Sequence, residues 1–201
     1  MVAHAREHGP GAVVLHTQAG RVRVTVDADF AATLTSVAPR VDALSSADLD
    51  ALLATLDWRH EDLDPTLPPA LAYAGAWHPV IAAASRTRLA DLRYDFDALA
   101  ALMQARGWTT INLVWRDDAH TLHARNPFPP GGVVEDPATG AAAAALGAYL
   151  AAHDQLPASR GFTIHQGQDL GRPSLLRVDV PSNVSDGVRV SGSAVEIDTI
   201  R

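Results

Sequence analysis

The amino-acid sequence predicts an α+β protein in which short strands surround apolar helices. Two observations support this prediction. Residues 21–27 alternate valines with polar or charged side chains, which is the period-two pattern of a half-buried strand. Residues 140–153 form an alanine-rich apolar run. Because alanine is the strongest helix former, this run predicts a helix that is buried on all sides.

The other elements follow in chain order from periodicity, cap residues and Gly or Pro breaks. Strands are predicted over residues 13–16, 21–27, 71–84 (one or two strands), 110–115, 121–125, 162–166, 174–180 and 188–197. A helix is predicted from Ser45 through the leucines that end at Leu56, and another over 95–106, which Gly107 ends. The three prolines of residues 62–69 predict a linker.

Composition restricts the chemistry available to this chain of 201 residues. It has no cysteine, which excludes disulfides, thiolate zinc sites and cysteine nucleophiles. All 16 basic residues are arginine, which excludes a Schiff-base lysine, a pyridoxal-phosphate enzyme and a P-loop. Proton transfer is therefore left to carboxylates, histidines and tyrosines.

Charge and hydropathy bear on partners and location. A net charge of −7 argues against nucleic acid as a partner, because phosphate binding needs a basic face. No apolar stretch is long enough to cross a membrane, and the N-terminal residues lack the apolar core of a signal peptide. We therefore expect a cytoplasmic protein that binds neither nucleic acid nor membranes.

The most informative segment is the run Glu135-Asp136-Pro137-Ala138-Thr139-Gly140 at the mouth of the alanine-rich helix. The start of a helix carries free N–H groups and partial positive charge, so it is a ready anion site, and the two acids are candidates for proton transfer. Ordinary capping explains the same residues equally well. Either Asp136 is the N-cap with Pro137 at the first helical position, or Thr139 is the cap and Gly140 opens the helix.

The string from Glu135 to Ala142 resembles the signature of the PhzF-like phenazine-biosynthesis family, whose fold is similar to that of diaminopimelate epimerase. Further pieces resemble that family in the same order along the chain. They are Gly75 to Val80, then Arg125, Phe128 and Pro130, then Gln166-Gly167, then Gly171-Arg172-Pro173-Ser174, and finally Val190 to Val195.

The resemblance implies two similar lobes, each a mixed, mainly antiparallel sheet around a central helix. Residues 1–64 would form an incomplete N-terminal lobe joined by the C-terminal strand 186–201, and residues 65–185 would form a complete C-terminal lobe. The family's principal catalytic glutamate lies in a Ser-Glu-Thr motif that precedes a Gly-His-x-Thr motif, and this sequence contains neither. We therefore expect that an N-terminal segment is missing from the first lobe.

The resemblance also implies an activity. It implies a cofactor-independent isomerase or epimerase that moves a proton by acid–base catalysis on a small carboxylate-bearing substrate. Asp136 would be the assisting acid or base. The backbone N–H groups of Thr139, Gly140 and Ala141 would bind the substrate carboxylate, although Ala141 replaces the family's usual serine. The alternative is a non-catalytic carboxylate-binding or degenerate family member, since the family's glutamate has no counterpart here.

Three further residues are candidates for substrate binding. Arg125, if buried, needs a carboxylate partner, and Glu135 is the obvious one; alternatively Arg125 meets an acidic substrate. Gln166 is a candidate through its place in the Gln-Gly segment. His78 is interpreted either as a packed histidine, which the sequence slightly favours, or as a substrate contact.

The sequence also bears on metal binding, cofactors and assembly. His4 and His8 have a spacing that could bind a metal on a helix, but no third ligand matches them, so no metal site is predicted. No cofactor is expected. We expect a homodimer, because the strand and helix edges of an incomplete lobe would be exposed.

Overall fold

The computed structural model describes residue 7 and residues 9–193. The strands are β1 Gly11–Thr17, β2 Gly20–Val26, β3 Ala31–Thr35, β4 Arg40–Ala43, β5 Ala70–Tyr73, β6 Trp77–Ala82, β7 Asn112–Arg116, β8 Thr121–Arg125, β9 Pro127–Phe128, β10 Val133–Glu135, β11 Gly161–Gln166, β12 Ser174–Asp179 and β13 Arg189–Ser193. The α-helices are α1 Ser46–Leu56, α2 Arg86–Ala90, α3 Phe96–Arg106 and α4 Gly140–Ala152.

Eleven of the strands form one mixed sheet in the order β1-β2-β3-β13-β12-β11-β8-β7-β6-β5-β4. Neighbouring strands are antiparallel except for two parallel pairs, β8 with β11 and β6 with β7. Strands β9 and β10 form a separate antiparallel pair. The prediction of an α+β fold with a mainly antiparallel sheet is therefore confirmed.

Helix α4 is the central helix around which one part of this sheet curls. It contacts strands β4, β5 and β6 near one edge of the sheet and strands β12 and β13 nearer its middle. Its residues from Ala142 to Leu150 are all buried, as the alanine-rich run predicted. Small side chains permit this close approach. A Cβ added at Gly147 would lie 3.0–3.1 Å from side-chain atoms of Val178, Val180 and Val188.

The buried hydrophobic residues form two clusters on opposite sides of the strands. Val80 and Val114 belong to the cluster around helix α4. Ile81 and Leu113, the chain neighbours of those two valines, belong to a second cluster with helices α1, α2 and α3. This alternation is the period of a strand that is buried on both faces.

The predicted division into lobes of 1–64 with 186–201, and 65–185, stays a prediction. The structure places β13 between β12 and β3, and so joins the end of the described chain to its first strands. Strand β4 lies elsewhere, at the opposite edge of the sheet beside β5. Residues 194–197 of the last predicted strand lie outside the described residues. Among residues 7 and 9–193, no helix is both long and apolar enough to span a membrane.

The close packing at Gly147 generates a stability prediction. Replacing Gly147 with leucine forces a larger side chain against three valines, and overpacking of this kind costs about 1–3 kcal/mol or more. We expect the midpoint of urea unfolding to fall accordingly. Ala152→Leu, at the exposed end of the same helix, is the matched control and should change stability by less than about 0.5 kcal/mol. Equal stabilities of the two variants would contradict the packing described here.

Candidate active site

The two acids singled out from the sequence lie just before helix α4: Glu135 ends β10, and Asp136 follows it. The helix begins at Gly140, so the interpretation with Asp136 as N-cap and Pro137 as the first helical residue is wrong. Thr139 occupies the cap position, but its side chain makes no capping hydrogen bond to the helix. Its hydroxyl instead donates to Asp136 Oδ2 at 2.8 Å. The cap residue therefore holds the acid and leaves the helix amides uncapped.

Asp136 is held through both its main chain and its side chain. Its N–H donates to the carbonyl oxygen of Asn126 at 3.0 Å, and its own carbonyl accepts from Gln166 Nε2 at 2.7 Å. With Thr139 on Oδ2, three different parts of the chain fix this residue. The side chain is half-buried, so its carboxylate stands at the edge of the core and within reach of a ligand.

Both polar atoms of the Gln166 side-chain amide form hydrogen bonds to residues 136–139. Gln166 is 2% exposed, and its Oε1 accepts from the Thr139 N–H at 3.2 Å, while Nε2 donates to the Asp136 carbonyl and to Thr139 Oγ1. The following turn is equally close. Gly167 has φ +77°, and a Cβ there would lie 2.8 Å from the carbonyl oxygen of Pro137. Gln166 thus supports the loop from within, and its predicted contact with substrate stays a prediction.

Arg125 and Glu135 form a buried, two-pronged ion pair. Arg125 Nε donates to Glu135 Oε2 at 2.9 Å, and a second guanidinium nitrogen contacts Oε1. Arg125 also donates to the carbonyl oxygen of Ala90 at 2.7 Å, at the end of helix α2. The predicted carboxylate partner is confirmed, whereas a role of Arg125 in binding substrate stays a prediction. The pair leaves Asp136 as the neighbouring acid that is not neutralised by this arginine.

The start of helix α4 provides hydrogen-bond donors next to Asp136. The first N–H groups of an α-helix have no partner within the helix, and the helix dipole makes that end favourable for an anion. Gly140 and Ala141 are half-buried, whereas the helix is buried from Ala142 to Leu150. The Ala142 carbonyl is fixed by Asn112 Nδ2 at 3.1 Å. This arrangement suits a carboxylate bound at the first turn, beside a fixed acid.

His78 lies behind the site and is fully buried. Its Nδ1 lies 2.9 Å from Thr110 Oγ1, and that hydroxyl donates to Asn126 Oδ1 at 2.9 Å. Loss of hydration lowers the pKa of His78 from 6.5 to about 4, so the imidazole is neutral at neutral pH. Its environment is that of a packed histidine, connected to Asp136 through Thr110 and Asn126. A direct contact with substrate stays a prediction.

Several polar residues near the site were not singled out from the sequence. Thr110 and Asn126 are each 1% exposed and bind one another, and no local pattern marks them. Tyr94 donates its hydroxyl to the carbonyl of Val134, and burial together with the charge of Glu135 raises its pKa to about 12. Only the position of Asn126, inside the segment from Arg125 to Pro130, could have drawn attention to it.

A metal site needs several ligating side chains close together. Within the part of the chain that the structure describes, no three histidine, aspartate or glutamate side chains come together as a candidate metal site. His4 and His8 lie outside the described residues. The chemistry of the segment from Asp136 to Ala141 is that of a carboxylate beside amide donors, which permits proton transfer to or from an anion held at the helix.

The chain is similar to known proteins over nearly its whole length. The family described as phenazine biosynthesis-like protein (PhzC-PhzF) matches residues 1–199. The chain is 33% identical over 136 residues to the trans-2,3-dihydro-3-hydroxyanthranilate isomerase of Pseudomonas chlororaphis, a match that covers 66% of this chain and 46% of that relative. It is 29% identical over 189 residues to the uncharacterized isomerase YddE of Escherichia coli K12, covering 88% and 63%.

A solved structure supports the fold. The structure of a protein from Pseudomonas aeruginosa, described as a predicted epimerase, has a TM-score of 0.79 and 25% identity, covering 99% of this chain and 72% of that one. The epimerase-like α+β fold is therefore confirmed. The chain spans between 44% and 63% of the length of three curated relatives that it matches, so those relatives are considerably longer than these 201 residues.

The buried ion pair generates a stability prediction. Arg125→Met leaves the carboxylate of Glu135 buried without its partner, and breaking a buried pair in this way costs about 3–5 kcal/mol. The double variant Arg125→Met/Glu135→Leu removes both charges, and we expect it to recover at least half of that loss. Urea unfolding of the two variants and the wild type measures the difference. A single variant that loses less than about 1 kcal/mol would contradict the buried pair.

The lowered pKa of His78 generates a pH prediction. The folded-state pKa of about 4 lies below the value of 6.5 for a free histidine, so the unfolded chain binds the proton first as the pH falls. The stabilisation is complete above pH 6.5 and decreases as the pH falls towards 4. Between pH 7 and pH 5 we expect the wild type to lose about 2 kcal/mol more unfolding free energy than His78→Asn. Parallel losses in both proteins would contradict the burial of a neutral imidazole.

Proposed function

Because the chain belongs to the phenazine biosynthesis-like (PhzC-PhzF) family, we propose that it is a cofactor-independent isomerase or epimerase acting on a small carboxylate-bearing metabolite. The observation that carries this proposal is the position of Asp136. Its carboxylate is fixed by Thr139 directly before the uncapped first turn of helix α4. An acid or base therefore lies next to an anion site, which is what proton transfer near a carboxylate requires.

The proposed reaction starts with binding of the substrate carboxylate to the N–H groups at the start of helix α4. The half-buried residues Gly140 and Ala141 supply the donors, whereas the Thr139 N–H, which was also predicted to bind substrate, already donates to Gln166 Oε1. These donors also stabilise negative charge that develops on the substrate when a neighbouring C–H bond breaks. The proton goes to Asp136 as the electron pair of the C–H bond moves into the carboxylate-conjugated system. Asp136, after exchange with solvent, returns a proton to another carbon on the same face, which gives the isomer. Epimerisation would need a second acid on the opposite face.

The names of the relatives support this reaction class and suggest a compound. The Pseudomonas chlororaphis relative is named as an isomerase of trans-2,3-dihydro-3-hydroxyanthranilate, which carries a carboxylate, and the Escherichia coli relative is also named as an isomerase. That compound is therefore the first to test, followed by a panel of small amino and hydroxy acids.

A second candidate function is binding of a small carboxylate without turnover. The observation that favours it is that Glu135 is paired with Arg125, which leaves Asp136 without help from the neighbouring acid. Such a protein would keep the amide donors at the helix start and would lack one of the groups needed to complete proton transfer.

Assembly and location are part of the proposal as well. We propose a cytoplasmic homodimer, supported by the sheet edge at strand β1, where Val14 and Leu15 are 36% and 39% exposed. Sedimentation equilibrium measures the assembly. A single species of about 21.2 kDa at every concentration would rule out the homodimer.

The test of the activity is deuterium incorporation from D₂O into a carbon-bound position of the substrate, followed by NMR. We expect incorporation with the wild type and a rate reduced at least about 100-fold in Asp136→Asn, because a positioned acid or base contributes roughly 10²–10⁴-fold. Asp97→Asn, which changes an exposed acid on helix α3, is the matched control and should keep the wild-type rate.

The outcomes separate the two candidate functions. An equal rate in Asp136→Asn and the wild type would contradict the role of Asp136. Saturable binding of a carboxylate by calorimetry, without deuterium incorporation for any compound in the panel, would favour the non-catalytic function instead.

A further inference from the structure

Three buried polar side chains, joined by hydrogen bonds, lie behind the candidate site and have no part in the reaction proposed above. They are His78 on β6, Thr110 before β7 and Asn126 after β8, which are 0%, 1% and 1% exposed. Buried polar groups are costly unless they are hydrogen-bonded, and a single apolar side chain in place of each would avoid that cost. Three such residues in contact therefore indicate a functional role for their hydrogen bonds.

The direction of the hydrogen bonds fixes the state of the histidine. The Thr110 hydroxyl has one hydrogen, and it donates that hydrogen to Asn126 Oδ1. The same hydroxyl lies 2.9 Å from His78 Nδ1, so it accepts there, and Nδ1 carries the proton. In a neutral imidazole the other nitrogen, Nε2, then carries only a lone pair, and it has no partner among the described residues.

The chain of hydrogen bonds ends at the catalytic candidate. Asn126 accepts the N–H of Asp136 through its main-chain carbonyl at 3.0 Å. The next carbonyl, that of Pro127, accepts the N–H of Ile111 at 3.2 Å. Residues 126–127, which hold Asp136, are therefore bound twice to residues 110–111. One bond joins the side chains of Thr110 and Asn126, and the other joins the main chains of Ile111 and Pro127.

We propose that His78 is a positioning residue for Asp136. By donating from Nδ1, His78 orients the Thr110 hydroxyl so that its hydrogen points at Asn126, and Asn126 then presents its carbonyl to the Asp136 amide. An apolar residue at position 78 would remove one of the two bonds that hold the Thr110 hydroxyl and would weaken its remaining bond to Asn126. The consequence for catalysis rests on the proposed function, whereas the positioning of the Asp136 main chain does not.

The first test does not depend on activity. Amide hydrogen exchange at Asp136 is measured in the wild type, His78→Leu and Thr110→Val, with the Ala83 amide, which donates to Val114 at 2.7 Å, as an internal control for folding. We expect exchange at Asp136 to become about tenfold faster in both variants, roughly the effect of losing one ordinary hydrogen bond, with Ala83 unchanged. His78→Asn keeps a hydrogen-bond donor at position 78, and Thr110→Ser keeps a hydroxyl at position 110. The Asp136 amide should therefore exchange slowly in both variants.

Nitrogen NMR of the His78 ring gives a spectroscopic signature that packing alone does not produce. We expect a protonated Nδ1 and an unprotonated Nε2 in the wild type, and loss of the Nδ1 hydrogen bond in Thr110→Val. A proton on Nε2 instead, or unchanged exchange at Asp136 in folded His78→Leu, would overturn the proposal.

If the deuterium-incorporation assay shows turnover, kinetics add a further measurement. His78→Leu should lower kcat by about tenfold and change KM by less than about twofold, because the misplaced group is the acid and the amide donors for the carboxylate are intact. Asn at position 78 should restore kcat. If the wild type shows no turnover, the proposed function fails, and amide exchange and the ring tautomer still decide whether His78 positions Asp136.

Discussion

The candidate site depends on the hydrogen bonds that one buried glutamine makes to the segment before helix α4. Gln166 binds the carbonyl of Asp136 on one side and the N–H and hydroxyl of Thr139 on the other. These bonds pair main-chain groups of residues 136–139, which lie between β10 and helix α4 and belong to neither. Because burial makes each unpaired group costly, the segment has one favourable conformation, and Asp136 occupies a defined place in it.

Strand pairing explains why Gln166 is in the right place. Strands β8 and β11 are parallel neighbours, with Gln166 in register with Ala124, so both strands end at the same edge of the sheet. Arg125 ends β8 and Gln166 ends β11, and the start of helix α4 lies against that edge. Two polar residues, 41 positions apart in the chain, thus support the same segment, one through Glu135 and one through Thr139.

The small residues of helix α4 make this geometry possible. An alanine-rich helix lets strands approach from several directions, and Gly147 lies within ordinary contact of three valines only because it has no side chain. The first turn of the helix is held among the strands while its amide groups still reach the surface at Gly140 and Ala141. The fold therefore places the positive end of a buried helix beside a fixed carboxylate.

Local rules predicted the elements whose signal lies in neighbouring residues, but they missed strands β3 and β4 and helix α2. The alternation of residues 21–27, the alanine run and the stop at Gly107 each specify one conformation, and the structure has them all. The resemblance to a known family led to Asp136, Thr139 and Gln166.

What the sequence could not supply depends on tertiary contacts. Asp-Pro and Thr-Gly both satisfy the rules for a helix start, and in the structure Gln166, 27 residues beyond Thr139, binds both Asp136 and Thr139. For the same reason nothing in the sequence marks Thr110. Its partner His78 is 32 residues distant, on strand β6.

The central claim is that a carboxylate binds at the start of helix α4, next to Asp136. The most direct measurement is a titration of ¹⁵N-labelled protein with benzoate, with neutral benzamide as the matched control. The account predicts saturable shifts of the Gly140 and Ala141 amides with benzoate and none with benzamide. Shifts that are absent at those two amides, or equal with both compounds, would contradict it.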